Sequence, residues 1–450
     1  MAAAAKLGCV VIRALLKIPE VACPHWTWRR AAALCLALQL PVGAAAVDYR
    51  GTPDDYLDLL PGLAPGDRLE LAAGSYERGL PVHGVSGAPG RPIIIEGPAQ
   101  GPAAILLGRR GRNTVSIENA AYVVIRNLEI DGRGAFVDGV KAEGHAKFAH
   151  HITLERLFIH GLARHQQSVG ISTKCPAWDW VVRNNRIEGV GTGMYFGNSD
   201  GSAPFVGGLI EGNRILDTLG YNLQVKHQLS RPAIPDMPTE PRQTIIRRNV
   251  FVKAAGGSEG AAARPNVLVG HFPLEGVGRD DAYAVYGNIF FQNAHEALFQ
   301  GEGNVALYNN LFFNSHRIEF PAIAIQPHND IPRQVRVFFN TVVHPWKGIR
   351  VLRREDHWVD DQLISGNAVF AETPLQGGRQ AGNFSADYEQ AAVFLKAPVA
   401  DLTRLDLHPR VGALRSGPIA LDAFSKLPDY DRDFTGARRH GLVRGAYEGN

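Results

Sequence analysis

Nine segments of the chain, beginning at residues 123, 152, 181, 209, 245, 284, 306, 337 and 363, share one pattern. Most read as a short strand, an asparagine-centred corner and a second short strand. The corner residues Asn185, Asn213, Asn249, Asn288, Asn310, Asn340 and Asn367 recur, by subtraction of their numbers, at intervals of 28, 36, 39, 22, 30 and 27 residues. That is a solenoid period with loop insertions, unlike the spacing of a propeller or a sandwich. Asparagine suits such a corner because it tolerates left-handed backbone angles. Stacked amides can also hydrogen-bond from coil to coil, which predicts a ladder.

A second set of strands lies between these units, each ahead of a polar bend: 139–141, 170–174, 193–197, 222–227, 266–271, 297–302, 322–328 and 348–352. Every coil therefore has at least two strands, and a parallel stack of coils buries its interior from end to end. No segment reads as a long amphipathic helix; a short one over 54–60 is the most the pattern allows. The expected fold is all-β, a right-handed parallel β-helix over residues 47–372. Residues 373–450 lose the repeat and are read as a C-terminal cap that blunts the open end of the stack.

Ahead of the repeats, Arg29 and Arg30 precede the apolar run 31–40 and the small residues Ala44, Ala45 and Ala46. This is the layout of a secretory signal, so residues 1–46 are read as a leader and the protein as periplasmic or secreted. The run is short for a bilayer span, and Leu34 before Cys35 does not fit a lipid-anchor box. Of the 4 cysteines, only Cys175 lies outside that leader. This predicts neither an internal disulfide nor a thiol metal site, and Cys175 is read as a buried small residue. The net charge of +3 comes without a dense Lys/Arg stripe, which argues against nucleic acid as a partner.

Residues 65–76 and 87–95 resemble the opening coil of chondroitinase-B-like and alginate-lyase-like β-helix proteins, the polysaccharide lyase family six group. Residues 431–438 and 445–448 resemble the closing segment of secreted β-helix proteins. The resemblance implies an acidic glycan as substrate, a lysine base, a downstream arginine, and calcium on neighbouring carboxylates. Lys226 falls where the family's lysine-bearing strand would, and Arg264 matches the arginine. The calcium part does not transfer, because residues 219–224 lack the paired glutamates. No cofactor and no metal are expected. The Asp-Pro-Asp-Pro-His signature of alginate epimerases is also absent.

Side chains alternate along a strand, which sets the register of the stack. With Leu223 and Val225 inward, Gln224 and Lys226 point outward, as do Ser172, Lys174, Tyr195, Gln326 and Arg350. His227, His271, Glu302 and His328 are expected at the bend. Uronate β-elimination needs carboxylate neutralisation, a base for the C5 proton and an acid for the leaving oxygen. Arg264, Gln224 and Asn222 are candidates for the first, Lys226 or His227 for the base, and Tyr195 or His271 for the acid. Gln326, His328 and Arg350 extend the substrate-binding set, and Phe299, Trp346 and Trp178 are aromatics able to stack on sugars.

The expected activity is thus a polysaccharide lyase, acting as a monomer. A hydrolase or epimerase of the same shape and a non-catalytic exopolysaccharide-binding β-helix stand as alternatives. Hydrolysis would need two facing carboxyls, and Asp200, Asp236, Glu259, Glu275, Asp280 and Asp281 form no recognisable pair. The histidines 227, 271 and 328 could instead hold a metal.

Overall fold

The computed structural model describes residues 45–328, 331–352 and 362–449. The expected leader falls outside these residues except for Ala45 and Ala46, as do Cys9, Cys23 and Cys35. Among the described residues, no helix is long and apolar enough to cross a membrane.

The chain is a right-handed parallel β-helix with three long parallel sheets. The first has 15 strands, from Asp48–Gly51 to Arg379–Ala381; the second has 11, from Leu80–His83 to Thr373–Gly377; the third has 12, from Gly74–Tyr76 to Phe384–Ala386. Neighbouring strands of a sheet come from successive coils, so equivalent side chains stack about 4.8 Å apart. In the first sheet Ile95, Ile125, Leu154, Val182, Ile210, Ile246 and Val285 follow one another in register and are all fully buried. The third sheet answers with Ile159, Ile187, Ile215, Phe251 and Phe290. Each fully buried side chain of this kind stabilises the stack by roughly 1.5–3 kcal/mol.

The asparagine ladder forms, with one rung more than the repeats predict. Each amide from Asn185 to Asn367 donates to the Oδ1 of the next at 2.9–3.0 Å, and Asn383 closes the series. The expected reason for asparagine at the corner needs correcting. The left-handed angles belong to the preceding residue: Asn184, Gly212, Arg248, Gly287, Asn309, Phe339 and Gly366 have φ of 56, 67, 57, 65, 51, 52 and 69°. The ladder asparagines are instead selected by their buried amides, which satisfy backbone groups the corner leaves over. Asn213 Nδ2, for example, also donates to the Val182 carbonyl at 2.8 Å.

A second asparagine corner leads into the second sheet. Asn293 Nδ2 donates to Asn266 Oδ1 at 2.9 Å, and Asn222 Nδ2 reaches Thr218 Oγ1 and the Val252 carbonyl, both at 3.2 Å. The approach of coils is close here: a Cβ on Gly193 would lie 2.4 Å from the Asn222 carbonyl oxygen. Short helices sit at Tyr56–Leu59, as the pattern allowed, and at Ala391–Phe394.

The expected boundary at 372 is one coil early. Thr373–Gly377, Arg379–Ala381 and Phe384–Ala386 each add a parallel strand to the second, first and third sheets. The remaining segment folds back along the outside of the stack instead of only blunting its end. Ala391, Leu395, Leu407 and Val443 pack on Leu311, Phe313, Val343 and Phe370, outside the third sheet. Phe424 caps the aromatic column of Tyr286, Tyr308 and Phe338 outside the first, its ring centroid 3.8 Å from that of Phe338. The outer face of the second sheet carries mostly polar side chains.

Candidate active site on the second sheet

Register alone lines up one outward column on the second sheet: Ser116, Lys141, Ser172, Tyr195, Gln224, Leu268, Gln300, Ala324 and Arg350. Lys174 and Lys226 follow two residues after Ser172 and Gln224, at the ends of their strands. The inward partners Leu223 and Val225 are fully buried, as expected from the alternation.

Loops entering the sheet from the third side wall this column into two adjoining cavities. The larger, about 490 Å³, is lined by Lys141, Lys174, Lys226 and Arg264, together with Tyr195, Tyr221 and Gln224. Among the described residues, Asp138 is the single carboxylate lining it. The second, about 360 Å³, shares Tyr221 and Arg264 and adds Glu296, Gln300, Glu302, Gln326 and His328.

Asp138 is built into the floor. It accepts from Ser172 Oγ at 2.7 Å and from the Val169 N–H at 3.0 Å, and Lys141 Nζ lies 3.7 Å away. Burial nevertheless raises its pKa above the usual aspartate value. Lys174 Nζ sits 3.5 Å from the centre of the Tyr195 ring and donates to the Gly197 carbonyl at 3.3 Å. Burial brings this amine down to about 8; Asp138 opposes the shift, while Lys141 and Lys226 add to it. Burial lowers Lys226 as well, against the pull of Glu302. Tyr195 and Tyr221 are raised by burial and stay protonated at neutral pH.

Arg264 is held by its backbone and its guanidinium together. Its carbonyl accepts from the buried Lys253 at 2.7 Å and from Asn293 at 3.0 Å. Its guanidinium donates to the Ala261 and Ala263 carbonyls at 3.0 and 2.6 Å and lies 5.9 Å from the Tyr221 ring centre. In the second cavity, burial lifts Glu296 to about 7, against its hydrogen bonds from Ala297 N–H and Gln300 and the charges of Lys253 and Arg264.

The structure therefore brings together Tyr195, Gln224, Lys226 and Arg264, and places Gln326 and His328 next to them. Arg350 donates to Gln326 Oε1 at 2.8 Å, one coil further on. Three expected residues stand apart from the cavities. Asn222 is fully buried in corner hydrogen bonds and faces neither cavity. His227 and His271 stack on each other, ring centroids 5.3 Å apart, beside Lys226 but outside both cavities. His328 lies two coils beyond His271, so the histidine trio is not a metal site. Among the described residues no group of three His, Cys, Asp or Glu is placed to hold a metal ion.

Phe299 and Trp178 are fully buried core residues, not sugar platforms, and Trp346 lies under Lys347 and Arg317. Of the loop carboxylates weighed in sequence, Asp281 is spent in a buried ion pair with Arg231. Cys175 is buried, and burial pushes its thiol up to about 12.

Sequence reasoning missed Asp138, Lys141, Tyr221 and Glu296 as lining residues. Lys141 shares a register position with Ser172 and Tyr195, which could have found it; the other three stand on loops with no periodic signal. The calcium implied by the family resemblance does not fit the residues present. Residues 219–224, just ahead of Lys226, offer the amides of Asn222 and Gln224 and no carboxylate, and Lys141, Lys174 and Lys226 line the cavity with Gln224.

No family model matches the chain, and no curated protein matches it. Solved structures similar to it include an alginate lyase from Paenibacillus sp. str. FPU-7, at 17% identity and a TM-score of 0.46, covering 76% of this chain and 100% of that one. Others are the PL6 family alginate lyase AlyGC, at 14% and 0.49, covering 76% and 53%, and the GH136 lacto-N-biosidase from Eubacterium ramulus, at 11% and 0.40, covering 75% and 68%. What the chain shares with them is the fold, a right-handed parallel β-helix.

Proposed function

We propose that the protein is an exported polysaccharide lyase that cleaves an acidic, uronate-containing glycan by β-elimination, acting as a monomer. The observation that carries this reading is the larger cavity, where four cationic side chains meet two neutral tyrosines and one amine is depressed to about 8. Lys141, Lys226 and Arg264 neutralise the C6 carboxylate and stabilise the charge that develops on it. Lys174, neutral in part at pH 7–8, takes the C5 proton; the electron pair forms the C4–C5 double bond as the C4–oxygen bond breaks. The Tyr195 hydroxyl gives its proton to the leaving oxygen and recovers one from the lysine through water. Lys226 is the alternative base, in keeping with its place in the family resemblance.

The test is ultraviolet absorbance of an unsaturated uronate product, assayed over a panel of uronate polymers. Lys174→Ala should lower kcat about 10²–10⁴-fold without moving the thermal melt; an unchanged rate removes Lys174 from the chemistry.

One observation favours a second reading. Glu296 and Glu302 line the same cavity, and Glu296 is raised to about 7. An acid that stays partly protonated at neutral pH, in one cavity with a second carboxyl, is the equipment of a glycoside hydrolase. Release of reducing ends without the unsaturated product, abolished by Glu296→Gln, would decide for hydrolysis.

A further inference from the structure

We infer that the N-terminal end of the second sheet carries a separate anion-binding subsite, formed by Arg78, Arg109 and Arg112, that takes the acid group of a sugar remote from the bond being broken. The inference rests on the reading of the groove as the seat of an acidic glycan. A third cavity, about 270 Å³, lies over the strands Leu80–His83 and Val115–Glu118 and is lined by these three arginines. Ser116, on its floor, pairs in register with Lys141, which lines the larger catalytic cavity, so the two lie along one outer face.

The carboxylates in this cavity are already engaged. Glu118 Oε1 lies 2.9 Å from His145 and 3.3 Å from His83, and Glu143 Oε1 accepts from Asn113 at 2.7 Å and Ser116 at 3.0 Å. The arginines are not: among the described residues none of the three has an ion-pair or hydrogen-bond partner for its guanidinium, and Arg109 Nε is buried without one. Three solvated arginines on a flat face would need no explanation. Three converging on a concavity whose acids are occupied leave a charge that a ligand is suited to complete. The planar guanidinium fork matches a carboxylate or sulfate in two parallel hydrogen bonds.

Position gives the site its role. Two coil-to-coil steps separate Val115–Glu118 from Val169–Thr173, the strand that leads into Lys174, and four separate it from Leu223–Val225, which leads into Lys226. At about 4.8 Å per step the subsite lies about 10 Å from Lys174 and about 19 Å from Lys226, so a chain that fills the groove from Lys226 past Lys174 and reaches the arginines needs more than about four sugar units. The subsite therefore contributes to binding only for polymers long enough to reach it, which predicts a preference for long chains over short ones.

The experiment measures binding of fluorescently labelled oligogalacturonates and oligomannuronates, of four and of ten units, by anisotropy. The full-length Lys174→Ala protein is used so that no probe is consumed. The ten-unit probe should bind at least about tenfold more tightly than the four-unit one. Adding Arg78→Ala, Arg109→Ala and Arg112→Ala should erase that advantage and leave four-unit binding alone. The double change at the exposed Arg78 and Arg112 should remove most of it with an unaltered melt, guarding against misfolding. Equal binding of both lengths by the parent, no binding of either, or a length advantage that survives the triple change overturns the inference. The lyase reading fails separately, through absence of unsaturated product from the unsubstituted protein, whatever the binding result.

Discussion

The outer faces of the first and third sheets and that of the second sheet are built on the same coils and have the same inward packing. What covers them differs. Outside the first and third sheets, residues after 387 pack back over Phe338, Tyr308, Phe313 and Phe370, and those side chains are all but inaccessible. Outside the second sheet the equivalent positions are Lys141, Tyr195, Gln224 and Gln300, lining open cavities. In these coils apolar outward positions mark where the chain covers itself. Nearer the N-terminus the outer face of the first sheet instead pairs its own charges, Glu96 with Arg68 and Arg126 and Glu155 with Arg183, while on the second sheet the cations line open cavities. In a solenoid the core is indifferent to which flank works; the outward residues assign the task.

Phe338→Ala probes the covered side and should have the largest effect on stability. It removes a fully buried ring from the Tyr308–Phe338–Phe424 column and should cost about 3–5 kcal/mol in denaturant unfolding, with kcat of the folded protein unchanged. A parallel loss of turnover would mean that the cap and the groove are coupled. Asn249→Ala breaks the ladder in mid-stack, leaving Asn213 Nδ2, the Asn213 backbone N–H and the Ile210 carbonyl short of partners. It should cost about 1–3 kcal/mol, read by the same method.

On the open side the expected effects are kinetic. If Lys174 is the base, its neutral form is the active one, and kcat/KM should fall about tenfold per pH unit below its pKa of about 8 and level off above it. In the Lys174→Met protein the rise should vanish along with most of the rate. A profile that falls as pH rises toward 8 would point instead to an acid such as Glu296, raised to about 7. The smallest expected effect is that of a chelator. With amides and no carboxylate just ahead of Lys226, excess EGTA should leave both turnover and melt unchanged, and a chelator-sensitive rate would contradict the cationic reading of the cavity.

The ladder and the inward columns were legible because a stack repeats its contacts, so Asn213 or Ile210 is announced again a coil later. The outward register of Tyr195, Gln224 and Lys226 followed from the same alternation. Asp138, Tyr221 and Glu296 were not legible, since each stands on a loop between sheets whose length differs from coil to coil. His227 and His271 show the limit of spacing as a guide. They do stack, as neighbouring coils require, but the chain turns away after Lys226 and carries both rings outside the cavities.

By itself the sequence determined the coil: periodic asparagines and alternating apolar residues allow one way to bury a continuous interior, and each repeat states it again. Only the tertiary structure decided which flank stays open and which charges meet there. That depends on how the closing segment folds back and how far each unrepeated loop reaches, and no local pattern encodes the depressed amine of Lys174, which arises from burial among residues distant in the chain.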